Sequence, residues 1–360
     1  MNRVRIALLS LSLFLSGCCP GYIVTAAIKQ GEILLSREPL AEVIERHSTP
    51  EDLRTKLLYV KAAREFATQI GLNPGNSFTS FAPVKGDVLS WIVMATPVDS
   101  LAPTTWWFPI VGRVPYLGFF EREEAQQEAL RLSRDGLETI VRGADAFSTL
   151  GWFDDPILST TLKRPTNEIV ETVIHESVHS TVWIEGSVDF NESLATFIGV
   201  VGASQFLDSS EHKPSPVSNE VHAALRKSAH DDIQKTLDRG EMVERLASAL
   251  NELYHSSRTR DEKQQLRKEI FHREVPAEAI ARGLWPSSMP SINNVLVAHF
   301  LLYHSHLTEF CALATEVGFN WTLFISEIKN LSGSESENHG SPFDRLKERT
   351  HGAVCRLPSS

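Results

Sequence analysis

The stretch His175-Glu176-Ser177-Val178-His179 constrains this chain more than any other. On an α-helix, positions four apart lie about 40° apart around the axis, so both imidazoles face one direction with Glu176 beside them. Neutral imidazole nitrogens suit zinc, and a hydrolytic zinc site keeps three protein ligands and a water. Glu176 sits too far around the helix to join the two histidines as a ligand, but it is placed to take a proton from that water. The plainer alternative is a helix that happens to carry two of the chain's 13 histidines. The flanks read as a genuine helix: Thr166 after Pro165 as N-cap, Glu168 in the first turn, an apolar stripe of Ile169, Val170, Val173, Ile174 and Val178, and Gly186 as its stop.

A third ligand is expected from a second helix over Ser187 to Leu207, whose buried side is Leu194, Phe197, Ile198 and Val201. Glu192, Ala195, Thr196 and Gly199 share another face, small apart from its carboxylate, which lets this helix approach the histidines closely and present Glu192. The competing role for Glu192 is a capping box with Asp189. Asn191 and Asp189 either hold the second nitrogen of a ligand histidine or only start the helix. Glu171, one turn before His175, reads as a solvated first-turn acid, with a supporting role behind the metal ligands as the alternative.

Taken together, H-E-S-V-H and F-N-E-S-L-A-T-F, preceded by G-R-V-P-Y-L-G-F-F-E and G-W-F-D-D-P-I-L-S-T, give the chain a resemblance. It resembles the predicted aminopeptidase family of Gram-negative lipoproteins, a gluzincin-type group, from about Gly21 to Asn293-Asn294 and on to Tyr303. The resemblance implies one Zn2+ bound by His175, His179 and Glu192, with Glu176 as base. It also draws in Tyr116, whose phenol is then a candidate oxyanion donor, with a packed loop aromatic as the alternative. Arg113 has a weaker claim of the same kind, and Tyr303 and Asn294 are secondary candidates for the cleft.

The amino terminus points to a compartment. Asn2-Arg3-Val4-Arg5 is basic, Ile6 to Leu15 is apolar but too short for a permanent span, and Leu15-Ser16-Gly17-Cys18 reads as a lipobox. Residues 1–17 are therefore expected to be a signal peptide and Cys18 the lipidated residue. Cys19 follows it rather than an inner-membrane aspartate, so attachment to the outer membrane facing the periplasm is expected. The formal charge of −10 and pI near 5.7 argue against nucleic acid as a partner. Cys311 and Cys355 could pair in that compartment, but Cys311 lies in an apolar helical run where a free thiol is ordinary.

The expected fold class is α+β and helix-rich: a small mixed or antiparallel sheet, then a two-helix zinc core, then a mostly helical C-terminal half. Residues 18–330 read as one metallopeptidase domain, with a charged helical hairpin over 216–285 inside it and a flexible tail over 331–360. In detail, Tyr22 to Arg46 reads helical with Leu34 and Leu35 in the core, and Pro50 to Gly71 is an amphipathic helix ended by Gly71. Val88 to Ala95 and Thr105 to Val111 read as strands, the second confined to an edge or bulge by Pro109 and Pro115. Such an edge could hold an extended peptide beside the metal. Phe119 to Gly143 reads as helix. Val217 to Leu250 and Leu253 to Phe271 form the hairpin, read as peripheral, and Ser291 to Glu316 is the last strongly apolar helix. Its His299, His304 and His306 read as core or rim residues.

The functional expectation is a membrane-tethered zinc peptidase acting on peptides, with Glu171, Glu185 or Asp189 as the acid for a substrate's α-ammonium if it is an exopeptidase. Two alternatives stand beside it: an envelope adaptor whose zinc is structural, and an amidase or endopeptidase acting on cell-envelope substrates. Two imidazoles and a carboxylate also accept cobalt or manganese.

Overall fold

The computed structural model describes residues 31–108, 112–144, 154–289, 291–332 and 340–357. The leader, the lipobox cysteine and residues 333–339 and 358–360 of the expected flexible tail lie outside the described residues. The fold is α+β and helix-rich, with small sheets of two or three strands.

The chain enters through a helical turn at 31–35, then β1 (Glu38–Pro39), α1 (Leu40–Glu45) and α2 (Glu51–Gln69). The long helix expected to run to Arg46 is thus broken before Pro39, which cannot supply an amide hydrogen. Leu35, expected in the core, is 89% exposed, and Leu34 is only partly covered. Helix α2 ends as expected, with Gly71 at φ +90° just beyond it.

The sheets follow. Strand β2 (Ser80–Ala82) pairs antiparallel with β1, and β3 (Ser90–Pro97) buries Val93, Met94, Ala95 and Thr96. Strands β4 (Trp106–Phe108) and β5 (Gly112–Val114) form a separate hairpin, and β6 (Leu117–Phe119) lies at the edge of a second sheet against β3. Helix α3 (Arg122–Arg134) is followed by β7 (Leu137–Ala144), which pairs antiparallel along the whole of β3. The helix expected over Phe119 to Gly143 is therefore flanked by strands. Gly136 at φ +85° stops α3, and the β-branched Thr139, Ile140 and Val141 pack better on a pleated surface. Strand β8 (Ile157–Leu158) returns parallel to β2, completing the first sheet.

Helices α4 (Thr166–His179) and α5 (Val188–Asp208) come next and pack along each other. Pro165, not Thr166, occupies the cap position of α4, and the helix stops at His179, seven residues before Gly186 at φ +76°. Helix α5 is buried around nearly its whole circumference. That is possible because α2, α4, α6 (Asn219–His255), α10 (Leu307–Glu316) and α11 (Trp321–Ser332) share its core, in which Phe190, Phe197, Phe206, Phe310 and Phe324 are fully buried.

The expected hairpin is present as α6 and α7 (Arg260–Glu274), but it is not peripheral. Helix α6 packs on α4 and α5, and with α7, α8 (Ala277–Ala281) and α9 (Asn294–His304) it builds a second core around Trp285, Phe271 and Leu250. Gly240 makes that crossing close: a Cβ there would lie 2.8 Å from the His304 carbonyl oxygen. The apolar run from Ser291 to Glu316 is two helices, α9 and α10, divided at Ser305 and at His306, which sits at φ +58°. Asn294 ties these parts together. Buried at the start of α9, it accepts from the Tyr254 hydroxyl (2.8 Å) and Arg267 (3.1 Å) and donates to the carbonyls of Pro97 and Ser100 (3.1 Å each). It is a structural clamp rather than a cleft residue.

The end of the expected flexible tail is ordered onto the core. Helix α12 (Pro342–Arg349) begins with a capping box between Ser341 and Asp344, and Cys355 is disulfide-bonded to Cys311. Cys311 is fully buried in α10, so the bond anchors the last described segment to the main core.

Candidate metal centre

Helices α4 and α5 converge where α5 is thinnest. A Cβ at Gly199 would lie 3.4 Å from the Cβ of His175 and 3.3 Å from the Cγ of Glu171, so only hydrogen there allows this approach without displacement. Two turns further toward its start, α5 presents Glu192. The Glu192 carboxylate stands 3.4 Å from His175 Nε2 and 3.6 Å from His179 Nε2, and the two imidazole nitrogens are 3.1 Å apart. His175, His179 and Glu192 thus form a three-residue cluster able to hold a metal ion. These separations pass a simple test of fit. Ligand atoms held about 2.0–2.2 Å from zinc at tetrahedral angles lie roughly 3.3–3.6 Å apart, and the three separations of 3.1, 3.4 and 3.6 Å fall within or close to that range.

The electrostatics match the geometry. Burial raises the Glu192 carboxyl, but hydrogen bonds and charge from His175 and His179 outweigh it and hold the group at about 2. Burial works against protonation of His179, yet Glu192 and then Glu176 raise it. The pocket is arranged around an anion facing positive charge. Glu176 lies beside the cluster, and among the described residues its Oε2 is buried without a hydrogen-bond partner, as is Nδ1 of His179.

The residues flanking Glu192 divide clearly. Glu192 closes no capping box: Ser187 is the cap residue of α5, and Asp189 Oδ1 accepts only from the amide of Phe190 (2.9 Å). Asn191 holds neither histidine. Fully buried, it accepts from the Ile184 amide (2.9 Å) and donates to the Ile184 carbonyl (2.8 Å), fixing the loop between the two site helices. Arg113 donates to Thr105 (3.3 Å) across the β4–β5 hairpin.

Helix α9 covers the cluster. Ser193 Oγ accepts from the Ser305 amide (3.0 Å) and donates to the Leu302 carbonyl (3.3 Å), pinning the end of α9 to α5. Tyr303 is thereby placed with its ring centroid 6.5 Å from that of His175. Burial raises its phenol well above the ordinary range, with Glu192, Tyr116 and Glu176 adding to the shift. Tyr116, 42% exposed, is therefore in the electrostatic reach of this group.

Three features of the site escaped the sequence reading. His299, one helical turn before Tyr303 and 5.2 Å from it ring to ring, accepts from the guanidinium of Arg142 on β7. Burial, then Arg142 and His304, lower His299 to about 3, so it is neutral. The spacing of four between His299 and Tyr303 was the available signal. Trp183 stands against His179 at 5.6 Å while remaining 41% exposed, an apolar ring at the margin of the cluster. Finally, Glu171 is no solvated acid: burial, then Asp232 and Glu168, push it up to about 8.

A family model described as "Putative aminopeptidase" covers residues 21–341. No curated protein and no solved structure matches the chain.

Proposed function

The chain belongs to that aminopeptidase family, and from this premise we propose that it is a zinc-dependent aminopeptidase with Glu176 as general base. The observation that carries the reading is the convergence of His175, His179 and Glu192 beside a buried carboxylate oxygen that has no hydrogen-bond partner among the described residues.

His175, His179 and Glu192 would hold a divalent ion, which would supply Lewis acidity toward a scissile carbonyl and a water. Glu176 removes the proton from the attacking water and returns it to the leaving amine. Its Oε2 has no hydrogen-bond partner among the described residues and is available for this step. The Tyr303 phenol stays protonated in its buried setting and can donate to the oxyanion, with Tyr116 as the alternative donor at the exposed rim. The His299 ring, hydrogen-bonded to Arg142, stands beside that of Tyr303. The exopeptidase part of the reading rests on the family. Glu185 and Asp189 are exposed, and Glu171 is driven toward its neutral form, so none of the three matches a buried charged anchor for an α-ammonium.

The lipobox adds attachment of Cys18 to the outer membrane to the proposal; loss of palmitate labelling in Cys18→Ala checks it. For the chemistry, wild type and Glu176→Gln are compared on aminoacyl, N-acylated and muropeptide substrates. The expected result is cleavage of unblocked peptides by wild type alone, with equal metal content in both proteins. Equal cleavage by the two would refute the role of Glu176, and preference for muropeptides would redirect the substrate class.

A further inference from the structure

In the loop between α4 and α5, Val182 is buried and Ile184 packs against the main core, so the ring of Trp183 between them stays exposed. The loop that carries it is firmly tied. The Val182 amide donates to the Val178 carbonyl (2.8 Å), Thr181 Oγ1 accepts from the Asn73 amide (2.8 Å), and Asn191 holds both the amide and the carbonyl of Ile184. The indole thus keeps apolar area in water while its ring centroid stands 5.6 Å from that of His179, a member of the metal cluster. Val188, also exposed, lies four residues before Glu192 on α5 and shares its face. A single exposed apolar side chain is ordinary. Here there are two, each adjoining a different member of the cluster, and together they give it an apolar margin on the side of the loop.

The peptidase reading fixes which part of a substrate meets that margin. A carbonyl under attack by water carries its oxygen, the leaving nitrogen and the α-carbon of the first residue. Tyr303, the donor to the oxygen, lies on the His175 side, its ring 6.5 Å from that of His175. Glu176, which serves both the water and the leaving nitrogen, sits three residues before His179, about 4.5 Å back along the axis of α4. Trp183 follows the end of α4 and meets the cluster from the His179 side. The direction left for the first residue is toward Trp183 and Val188. We infer that these two side chains form the subsite for the first residue of the substrate, the one released, and that it selects aromatic and large aliphatic side chains. The inference rests on the aminopeptidase reading of the same site. A cationic first residue is disfavoured, because it would bring positive charge toward the ion that the three residues would hold.

The test uses the zinc-loaded protein and unblocked dipeptides with alanine second and glycine, alanine, leucine, phenylalanine, aspartate or lysine first, read as kcat/KM. Wild type is expected to favour phenylalanine and leucine over alanine by roughly tenfold to a hundredfold, as apolar pockets discriminate. Trp183→Ala should bring phenylalanine to within a few-fold of alanine, Trp183→Phe should keep most of the preference, and Val188→Ser should remove a smaller part of it. A second readout needs no turnover. In calorimetry on Glu176→Gln, phenylalanyl-alanine should bind roughly tenfold more tightly than alanyl-alanine, and the two should bind alike once Trp183→Ala is added. Should Trp183→Ala fail to fold, the phenylalanine-to-alanine ratio of Val188→Ser decides.

A flat first-residue profile, or a preference for lysine, in a wild type that does cleave dipeptides overturns the subsite alone. So does a Trp183→Ala that slows every dipeptide in proportion and weakens zinc binding, which would assign the ring to positioning His179. A wild type that cleaves no unblocked peptide overturns the aminopeptidase reading and the subsite with it.

Discussion

Glu192 and Glu171 lie on two sides of His175, both enclosed at the interface of α4 and α5, yet one is held at about 2 and the other pushed up to about 8. Burial acts on both in the same direction, raising the carboxyl. What separates them is company. Glu192 faces two imidazoles, whereas Glu171 looks toward Asp232 and Glu168, with Arg164 and Arg239 only partly offsetting them. The difference teaches that this interface is built to keep one negative charge, at the place where a cation can share it, and to suppress a second one a turn away.

Substitution should break the comparison most sharply in metal affinity. Glu192→Gln is expected to weaken zinc binding by more than about a hundredfold, since even partners outside the ligand shell contribute up to that much. Glu171→Gln should leave it within a few-fold, as titration calorimetry would show. Equal losses would mean that both acids serve the ion. Next in size, Tyr303→Phe should lower kcat by roughly tenfold to a hundredfold with KM little changed, because the phenol acts on charge that develops only during reaction. A loss confined to KM would make Tyr303 a binding residue and shift the donor role to Tyr116.

The closeness of the two helices gives a smaller effect. Gly199→Ala adds a methyl 3.3 Å from Glu171 and 3.4 Å from His175, and a stability loss of about 1–3 kcal/mol is expected by chemical denaturation. The smallest effect is in pH dependence. A carboxyl with its folded value raised to about 8 binds more protons folded than unfolded between its ordinary value and pH 8. Metal-free protein should therefore lose stability as pH rises through that window and level off above it. Glu171→Gln should flatten the slope, read as the pH dependence of Tm; an unchanged slope would assign it to other groups.

Much of the core was legible because its signal is local. The HExxH spacing, the apolar stripe of α4 and the small face of α5 each state a requirement within a few residues, and Glu192 and Gly199 lie together as that face demands. The region from Phe119 to Gly143 was misread because the charged run of α3 hides the change of period after Gly136, and the strand that follows is specified by its pairing with β3, far back in the chain. Asn294 and Asn191 looked like site residues because a buried amide and a ligating amide have the same sequence appearance; only their partners tell them apart. The Cys311–Cys355 bond and the Arg142–His299 contact join distant segments and leave no local trace.

The central claim is that one cation belongs between the two histidines of α4 and Glu192 of α5. Crystals grown with zinc, measured at the zinc absorption edge, test it directly. The expected result is an anomalous peak about 2.0–2.2 Å from Nε2 of His175, Nε2 of His179 and a carboxylate oxygen of Glu192. A peak ligated elsewhere, or a zinc site that Glu192 does not join, would contradict the account.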